Sequence, residues 1–239
     1  MADSPAALHT RATQSLRAGR FADAIDAYEQ MLALQPGRAD DWYNLAFAQH
    51  RARRFDAALA SYQTALDLGV DGPEEVHLNR AAILAGNLGR SGAAEVELHE
   101  ALRHRPGYAP ALVNLGNLHE QRGDREQALA AYEAVLLSQP GHAVALSRLA
   151  NLRRLSDPAD PLIARLRSAL SRQGASWGER ADLGFALGKA LDDVRSYDEA
   201  FAAYSRANEA SRRSAPAPGR RYDAARQERH VEDLMFAFG

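Results

Sequence analysis

The side chains best suited to chemistry in this chain of 239 residues are amides and guanidinium groups that recur about once every 34 residues. Counted from the start of each stretch, the sixth position holds Thr10, Asn44, Arg80, Asn114 and Arg148. Amides donate and accept hydrogen bonds, and guanidinium groups donate several, so such a row matches the main chain of an extended peptide. The row predicts binding of a partner rather than the making or breaking of bonds.

Positions next to this row complete a predicted peptide-binding groove. Two aromatic side chains would add apolar contact, and further amides would add hydrogen bonds. The predicted groove residues are Tyr43, Asn44, Phe47, Asn79, Arg80, Asn114, Asn117, Arg148 and Asn151. Asn79 stands one place early in this count. An asparagine on an exposed helix face is often merely solvated, and this alternative stays open. If the groove is a binding site, Asn114→Ala or Arg80→Ala should weaken binding without unfolding the protein.

The sequence offers no arrangement typical of an enzyme, a cofactor site or a metal site. Cysteine is absent, which excludes disulfides, thiolate ligands and cysteine nucleophiles. The eight histidines, at positions 9, 50, 77, 99, 104, 119, 142 and 230, form no His-x-x-x-His pair, and no acidic partner is expected at metal-ligand spacing. The stretch GNLGRSG follows a predicted helix instead of a strand, so it predicts a turn and not a phosphate loop. We expect a protein without catalysis, cofactor or metal.

Charge and hydropathy argue against nucleic acid and membrane as partners. The 29 basic and 31 acidic residues nearly cancel and give a net charge of -2. No stretch of about 18 apolar residues is present, and the N-terminal residues lack the basic and apolar regions of a signal peptide. We therefore expect a soluble, cytoplasmic protein whose partner is another protein or a peptide.

Small residues recur with the same period and predict which elements position the groove. They are Ala12, Ala46, Ala82, Gly116, Ala150 and Gly188, at spacings of 34, 36, 34, 34 and 38 residues. Self-similarity of this length is typical of stacked helix pairs, in which small side chains let two helices approach closely. A glycine inside a helix costs about 1 kcal/mol relative to alanine. We expect Gly116 to offset that cost by facing Ala128 at a close helix crossing.

The repeated residues resemble the tetratricopeptide repeat, whose pattern combines Trp, Leu-Gly, Tyr, Ala, Phe and Pro over about 34 residues. The match is best in residues 39–72 and 109–142. In the first of these stretches it is carried by Trp42, Leu45, Ala46, Phe55, Ala58, Tyr62 and Ala65. The resemblance implies an all-α fold, a right-handed α-solenoid of stacked antiparallel helix pairs. Its concave groove would be lined mainly by the first helix of each pair. The repeats of O-linked N-acetylglucosamine transferases carry a similar asparagine ladder, which this chain resembles at Asn44 and Asn114 only.

The pattern divides the chain into a repeat array over 1–154 and a less regular remainder. The expected units of the array are about 5–38, 39–74, 75–108 and 109–142, with the first helix of a fifth unit at 143–154. Residues 155–180 are expected to form an irregular helical insertion, because Pro158 and Pro161 stand where a second helix would begin. A final repeat is expected at 181–214, followed by a linker and a capping or connecting helix at 215–239.

The C-terminal part carries a second resemblance. The segments DPLIARLRSAL, DLGFALGKALDDVRSYDEAFAAYSRANEASRR and YDAARQERHVEDLMFAF are similar to the segment that joins the repeats to the catalytic domain in bacterial tetratricopeptide-sulfotransferase fusion proteins. In that family, a following Pro-Arg-Ser-Gly-Thr-Thr loop holds the donor 3'-phosphoadenosine-5'-phosphosulfate (PAPS), and the sequence up to Gly239 has no such loop. The resemblance implies an alternative function: a substrate-recruiting or regulatory N-terminal region of a PAPS-dependent sulfotransferase whose catalytic domain is absent from this chain. Val231, Leu234, Met235 and Phe238 would then be exposed, or would form a homodimer contact through the C-terminal helix.

Overall fold

The computed structural model describes residues 4–214, and this part of the chain contains helices and turns without any strand. Its helices are α1 (Pro5–Arg17), α2 (Phe21–Leu34), α3 (Ala39–Arg51), α4 (Phe55–Asp67), α5 (Pro73–Ala82), α6 (Ser91–His104), α7 (Ala109–Arg122), α8 (Arg125–Ser138), α9 (Ala143–Leu152), α10 (Pro161–Ser171), α11 (Trp177–Asp193) and α12 (Tyr197–Ser214). A short π-helical segment, Ile83–Asn87, continues α5. The helices fall into two compact units, Met1–Pro140 and Gly141–Gly239.

In the first unit, each odd-numbered helix packs against the even-numbered helix that follows it, and local sequence sets where these helices begin and end. Helix α1 begins at Pro5, after Ser4, whose hydroxyl accepts a hydrogen bond from the Ala7 amide at 3.3 Å. Gly123 ends α7 in the left-handed conformation, with φ of +83°, which glycine adopts without strain. Asp23 and Glu126 lie in the first turns of α2 and α8, where a carboxylate interacts favourably with the helix dipole.

The atoms nearest Gly116 across the fourth pair belong to a tyrosine. A Cβ atom at position 116 would lie only 2.5 Å from Cε1 of Tyr132, and the two next nearest atoms also belong to that ring. The large ring of Tyr132 thus fills the space that the missing side chain leaves, and Ala128 on the same helix is fully buried. Gly188 in the second unit makes the same room for Tyr204, at 2.6 Å.

The π-helical segment changes the register that the sequence predicts for the third pair. The Leu88 amide donates to the Ile83 carbonyl at 3.1 Å, a bond that spans five residues instead of four. This wider turn accommodates the one additional residue in the third repeat. Ala81 is consequently buried at the small position of the pair, whereas Ala82 is exposed. The assignment of Ala82 to the small position is wrong for this reason.

The core of the first unit runs from pair to pair. Tyr28 and Leu45 belong to one buried cluster, so the first pair shares its core with α3. Tyr62 and Val76 belong to a second cluster, which joins α4 to α5. A third cluster holds Leu98 and residues of α7. Each pair therefore leaves apolar surface that the next pair covers, as expected for a repeat protein.

In the second unit, α11 packs along α12 and against α9. The irregular segment before α10 is held to α11 by two charged side chains. Lys189 Nζ donates to the carbonyl of Arg153 and lies 2.6 Å from Asp193 Oδ2, and the same carboxylate accepts a hydrogen bond from the Leu155 amide at 3.0 Å. The side chain of Asp193 is 15% exposed. The only lysine of the chain thus orders a segment that follows no repeat pattern.

Asp193→Asn should remove a contribution to stability that depends on pH. Burial opposes ionisation of Asp193, but the hydrogen bonds from Lys189 and the Leu155 amide outweigh it, so the pKa of this carboxyl lies below its usual value. A group with a lowered folded-state pKa stabilises the protein above its unfolded pKa, about 3.9, and loses that contribution as the pH falls through the folded pKa. Urea unfolding at several pH values should therefore show the wild type more stable than the variant at pH 7, with the difference shrinking below about pH 4.

The neighbouring Asp192, which is exposed, supplies the control. Asp192→Asn should follow the wild type across the same pH series. A difference between wild type and Asp193→Asn that stays constant from pH 7 to pH 3 would contradict the ionic role of Asp193.

The sequence also predicts features that fall partly or wholly beyond the described range. The linker and helix expected at 215–239, with Val231, Leu234, Met235 and Phe238, lie outside the described residues. The division between the two units falls between α8 and α9, whereas the sequence places the end of the repeat array at residue 154. Among the helices of residues 4–214, none combines the length and the apolar character that crossing a membrane requires.

Candidate functional site

Three asparagines occupy the same position on three successive odd-numbered helices of the first unit. Asn44 on α3, Asn79 on α5 and Asn114 on α7 are 35 residues apart, and all three are half-buried. The small residues Ala46, Ala81 and Gly116 have the same spacing, so Asn79 occupies the same position in its repeat as Asn44 and Asn114. The count by repeat length placed Asn79 one residue early because it did not include the additional residue of the π-helical turn. Asn44 and Asn114 make no side-chain hydrogen bond within the described part of the chain.

Tyr43 connects α3 to α5. Its hydroxyl donates to Glu75 Oε1 at 2.8 Å and accepts a hydrogen bond from Asn79 Nδ2 at 3.2 Å. The ring meets Tyr62 edge-on, with centroids 5.7 Å apart. Burial, followed by the hydrogen bond to Glu75, raises the pKa of Tyr43 well above its usual value, so the hydroxyl remains a donor. The arrangement fixes Asn79 relative to Tyr43 and thereby orders this part of the helix surface.

A pocket of about 230 Å³ lies between the end of α5 and α7, and we call it the amide pocket. The π-helical turn contributes Ala85 and Gly86, whose small side chains leave the space open. Asn114, Asn117 and Gln121 supply amides from α7, three or four residues apart on one helix face. π-helical turns occur frequently at functional sites. The pocket can accept one side chain and offer it amide donors and acceptors.

Asn117 is oriented by a buried tyrosine. The Tyr132 hydroxyl lies 2.8 Å from Asn117 Oδ1 and 3.0 Å from Glu120 Oε2, and it can donate to either oxygen. In the first two pairs, where alanine replaces glycine at the small position, the Tyr28 and Tyr62 hydroxyls are buried without a hydrogen-bond partner in the described residues. In the fourth pair Asn117 and Glu120 supply these acceptors, at positions where the second pair has Phe47 and His50.

Arg80 belongs to an internal ion pair. Its Nε and Nη2 atoms lie 2.9 and 2.7 Å from Glu97 Oε1, and Nη1 donates to the Leu59 carbonyl at 2.9 Å. The other oxygen of Glu97 lies 2.7 Å from His77 Nδ1. The two charged side chains are 15% and 13% exposed. The guanidinium group is therefore engaged within the protein, one residue out of register with the asparagines.

The remaining predicted groove residues are divided between the units. Phe47 lies on α3 in the first unit, half-buried, with the Arg51 guanidinium 5.9 Å from its ring centroid. Arg148 and Asn151 lie exposed on α9 of the second unit. The structure thus brings together Tyr43 with Asn79 and Asn114 with Asn117.

The second unit has a larger pocket, of about 410 Å³, which the sequence does not predict. Trp177 forms part of its lining, with the guanidinium groups of Arg180 and Arg213 at 5.6 and 4.7 Å from its ring centroid. Helix α12 ends beside this pocket at Ser214, where the described part of the chain also ends. We assign it no ligand, because nothing in the described residues indicates what lies against it.

A cluster of possible metal ligands is also present. The expectation that no histidine has an acidic partner at metal-ligand spacing is wrong for His104, because Glu100 precedes it by four residues on α6 and both approach His77 on α5. Four residues correspond to about one helical turn, so the two side chains share a face. The spacing Glu-x-x-x-His was a usable sequence signal, but the contribution of His77 depends on the packing of two helices.

Comparison with known proteins identifies the repeats. A family model described as tetratricopeptide repeat matches residues 10–73, and a second model with the same description matches residues 88–152. The two matches together span more than half of the chain. A search of the curated proteins gave no match.

Solved structures show the same fold. Residues 41 to the end of MamA from Desulfovibrio magneticus RS-1 are 14% identical, with 90% of this chain and 99% of that chain covered and a TM-score of 0.57. YrrB, described as a TPR protein with an unusual peptide-binding site, is 18% identical, with 81% and 88% covered and a TM-score of 0.52. PilW, described as a widely conserved type IV pilus biogenesis factor, is 22% identical, with 84% and 92% covered and a TM-score of 0.57. The predicted fold class, an all-α solenoid of stacked helix pairs, is confirmed.

Proposed function

Because this chain belongs to the tetratricopeptide-repeat family, we propose that its first unit binds an extended segment of another protein along α3, α5 and α7, without catalysing a reaction. The observation that carries the proposal is the register of Asn44, Asn79 and Asn114, one amide on each of these helices. An amide per repeat offers a donor and an acceptor at regular intervals, which suits the repeating main chain of an extended peptide. Repeat proteins commonly use such extended surfaces for binding.

The amide pocket gives the proposed surface a means of selecting side chains. A pocket of about 230 Å³ holds one side chain of medium size. Its polar lining comes from Asn114, Asn117 and Gln121, which favours an uncharged polar or amide-bearing side chain over a large apolar one. Tyr43 and Phe47 would contact apolar parts of the same peptide. The peptide-binding site named for YrrB supports a peptide as ligand for this fold, and the residues above support its location in this chain.

Selection from a random peptide library tests the proposal. Peptides enriched on the full chain should bind the Asn44→Ala/Asn114→Ala variant at least about fivefold more weakly, because two hydrogen bonds worth about 0.5–1.5 kcal/mol each are lost. Fluorescence anisotropy with labelled peptides measures the change. Gln127→Ala removes an exposed amide from α8, a helix outside the proposed surface, and should bind like the wild type.

Two outcomes would overturn the proposal. One is a library selection that enriches no peptide on the wild-type chain. The other is equal affinity in the wild type, the double asparagine variant and the Gln127 control, which would place the binding surface elsewhere. Circular dichroism of each variant establishes that the helices remain folded.

The alternative function, recruitment of substrates for a PAPS-dependent sulfotransferase, stays a prediction from the resemblance of the C-terminal segments. The family models end at residue 152 and so do not cover those segments. Direct binding between this chain and the sulfotransferase domain of such a fusion protein would favour the alternative.

A further inference from the structure

Two histidines and a glutamate from adjacent helices converge on the side of the third helix pair. His77 lies on α5, and Glu100 and His104 lie one turn apart on α6. One potential ligand atom of each, a ring nitrogen or a carboxylate oxygen, lies within 4.8 Å of those of the other two. The two imidazole rings are nearly parallel, at 17°, with centroids 5.5 Å apart. These groups belong to different helices, so the fold itself creates the cluster.

His77 has a carboxylate partner of the kind that metal-binding histidines commonly have. Its Nδ1 lies 2.7 Å from Glu97 Oε2, and an ionised carboxylate can only accept there, so Nδ1 carries the proton and donates. Nε2 is then unprotonated in the neutral ring and has a free lone pair. A carboxylate that holds the second nitrogen of a histidine fixes its tautomer and raises its basicity as a ligand.

Glu97 is itself held in place by Arg80. Arg80 donates twice to Oε1, which leaves Oε2 for His77. Arg80 is anchored in turn by the Leu59 carbonyl. Two side chains, Glu97 and Arg80, therefore position His77 through its Nδ1 atom.

The other two groups are free to adjust. His104 is the exposed last residue of α6, so its ring can turn without disturbing the core. Glu100 pairs with Arg103, whose side chain is 71% exposed, and a surface ion pair of this kind costs little to release. A pocket of about 390 Å³ adjoins all three groups and leaves room for an ion and bound water.

We propose that His77, Glu100 and His104 bind a divalent transition-metal ion, Zn²⁺ in the first instance. Two imidazoles and one carboxylate suit zinc and its neighbours, whereas magnesium and calcium prefer oxygen ligands alone. Zinc bonds of about 2.0–2.2 Å put adjacent tetrahedral ligand atoms about 3.4 Å apart, so rotation of the Glu100 and His104 side chains must close the present separation. Three protein ligands leave a fourth position for water. The site is independent of the proposed peptide-binding surface.

Metal titration of the full chain without an affinity tag tests the site. Co²⁺ should bind with a stoichiometry of one at this site and produce visible absorption bands, and Zn²⁺ should displace it in competition with a chromophoric chelator. His77→Ala, Glu100→Gln and His104→Ala should each weaken the affinity for Zn²⁺ at least about tenfold. His99→Ala replaces an exposed histidine of the same helix outside the cluster and should remain within about twofold of the wild type.

The outcomes separate the proposed site from nonspecific binding by surface histidines. Absence of Zn²⁺ binding by the wild type at 1 mM metal, or an equal loss of affinity in His99→Ala and the three cluster variants, would overturn the proposal. His104→Ala removes an exposed side chain and is expected to fold normally, so its result stands even if His77→Ala is destabilised. Thermal unfolding supplies a second readout, because saturating Zn²⁺ should raise the melting temperature of the wild type and not that of His104→Ala.

Discussion

Arg80→Met should lower the free energy of unfolding by about 3 kcal/mol, because it leaves a largely buried carboxylate without its main counter-charge. Glu97 would keep only its contact with His77, and the Leu59 carbonyl would lose the hydrogen bond from Nη1. Methionine retains most of the apolar stem of the arginine, so the loss reports mainly the charge and its hydrogen bonds. Urea unfolding, monitored by the far-ultraviolet circular dichroism of the helices, measures the change.

Two further variants sharpen the result. Arg103→Met, on a side chain that is 71% exposed, should change the stability by less than about 0.5 kcal/mol. Replacing both partners, as in Arg80→Met/Glu97→Met, should recover part of the loss, because no buried charge then remains unpaired. If Arg80→Met proved as stable as Arg103→Met, the ion pair would not contribute to the fold, and Arg80 would again be available to a partner as the sequence analysis expected.

Gly116→Ala should also destabilise the protein, by about 1–3 kcal/mol. In an ordinary helix the same change stabilises by up to about 1 kcal/mol, so the expected sign is reversed. The reason is the buried ring of Tyr132, whose Cε1, Cζ and Cδ1 atoms would lie 2.5, 2.8 and 2.9 Å from the new Cβ. The ring must move away, and its hydroxyl then leaves Asn117 and Glu120. Urea unfolding of the variant measures the loss.

A glycine without such a neighbour provides the matched control. Gly92 lies in the first turn of α6, and a Cβ there would meet no heavy atom within 4 Å, so Gly92→Ala should be neutral or stabilising. The third pair places Ala81 and Leu98 in one buried cluster where the fourth has Gly116 and Tyr132. Gly116→Ala/Tyr132→Leu should therefore lose less stability than the sum of the two single changes. Equal stabilisation by Gly116→Ala and Gly92→Ala would show that the ring does not constrain position 116.

The helix pairs are predictable because their signal is local and repeated. Small residues at a constant period, such as Ala12 and Ala46, mark where two helices approach, and the same pattern recurs often enough to exclude chance. The pattern does not, however, identify Tyr132 as the residue nearest Gly116. Periodicity shows that a position must be small, but it does not show which side chain of the facing helix occupies the space, because that depends on the relative rotation of the two helices.

The candidate sites were less accessible from the sequence. A count of positions per repeat assumes that every helix has the same number of residues per turn. The π-helical segment after Ala82 violates that assumption by one residue, which moves Asn79 into the row of amides and Arg80 into contact with Glu97. The unequal spacing of the small residues showed that the repeats differ in length, but not where in the third repeat the additional residue lies. The meeting of His77 with Glu100 and His104 likewise depends on how α5 packs on α6.

The sequence by itself determined that this protein is built from stacked helix pairs, since helix period, small positions and turn residues are properties of neighbouring residues along one chain. Tertiary structure alone decided which way the polar side chains point. A shift of one residue turns a helix by about 100°, enough to move a side chain from the proposed binding surface to an internal ion pair. That rotation is set by packing against the adjacent helix. Asn79, Arg80 and His77 have different environments for this reason, although they lie close together on α5.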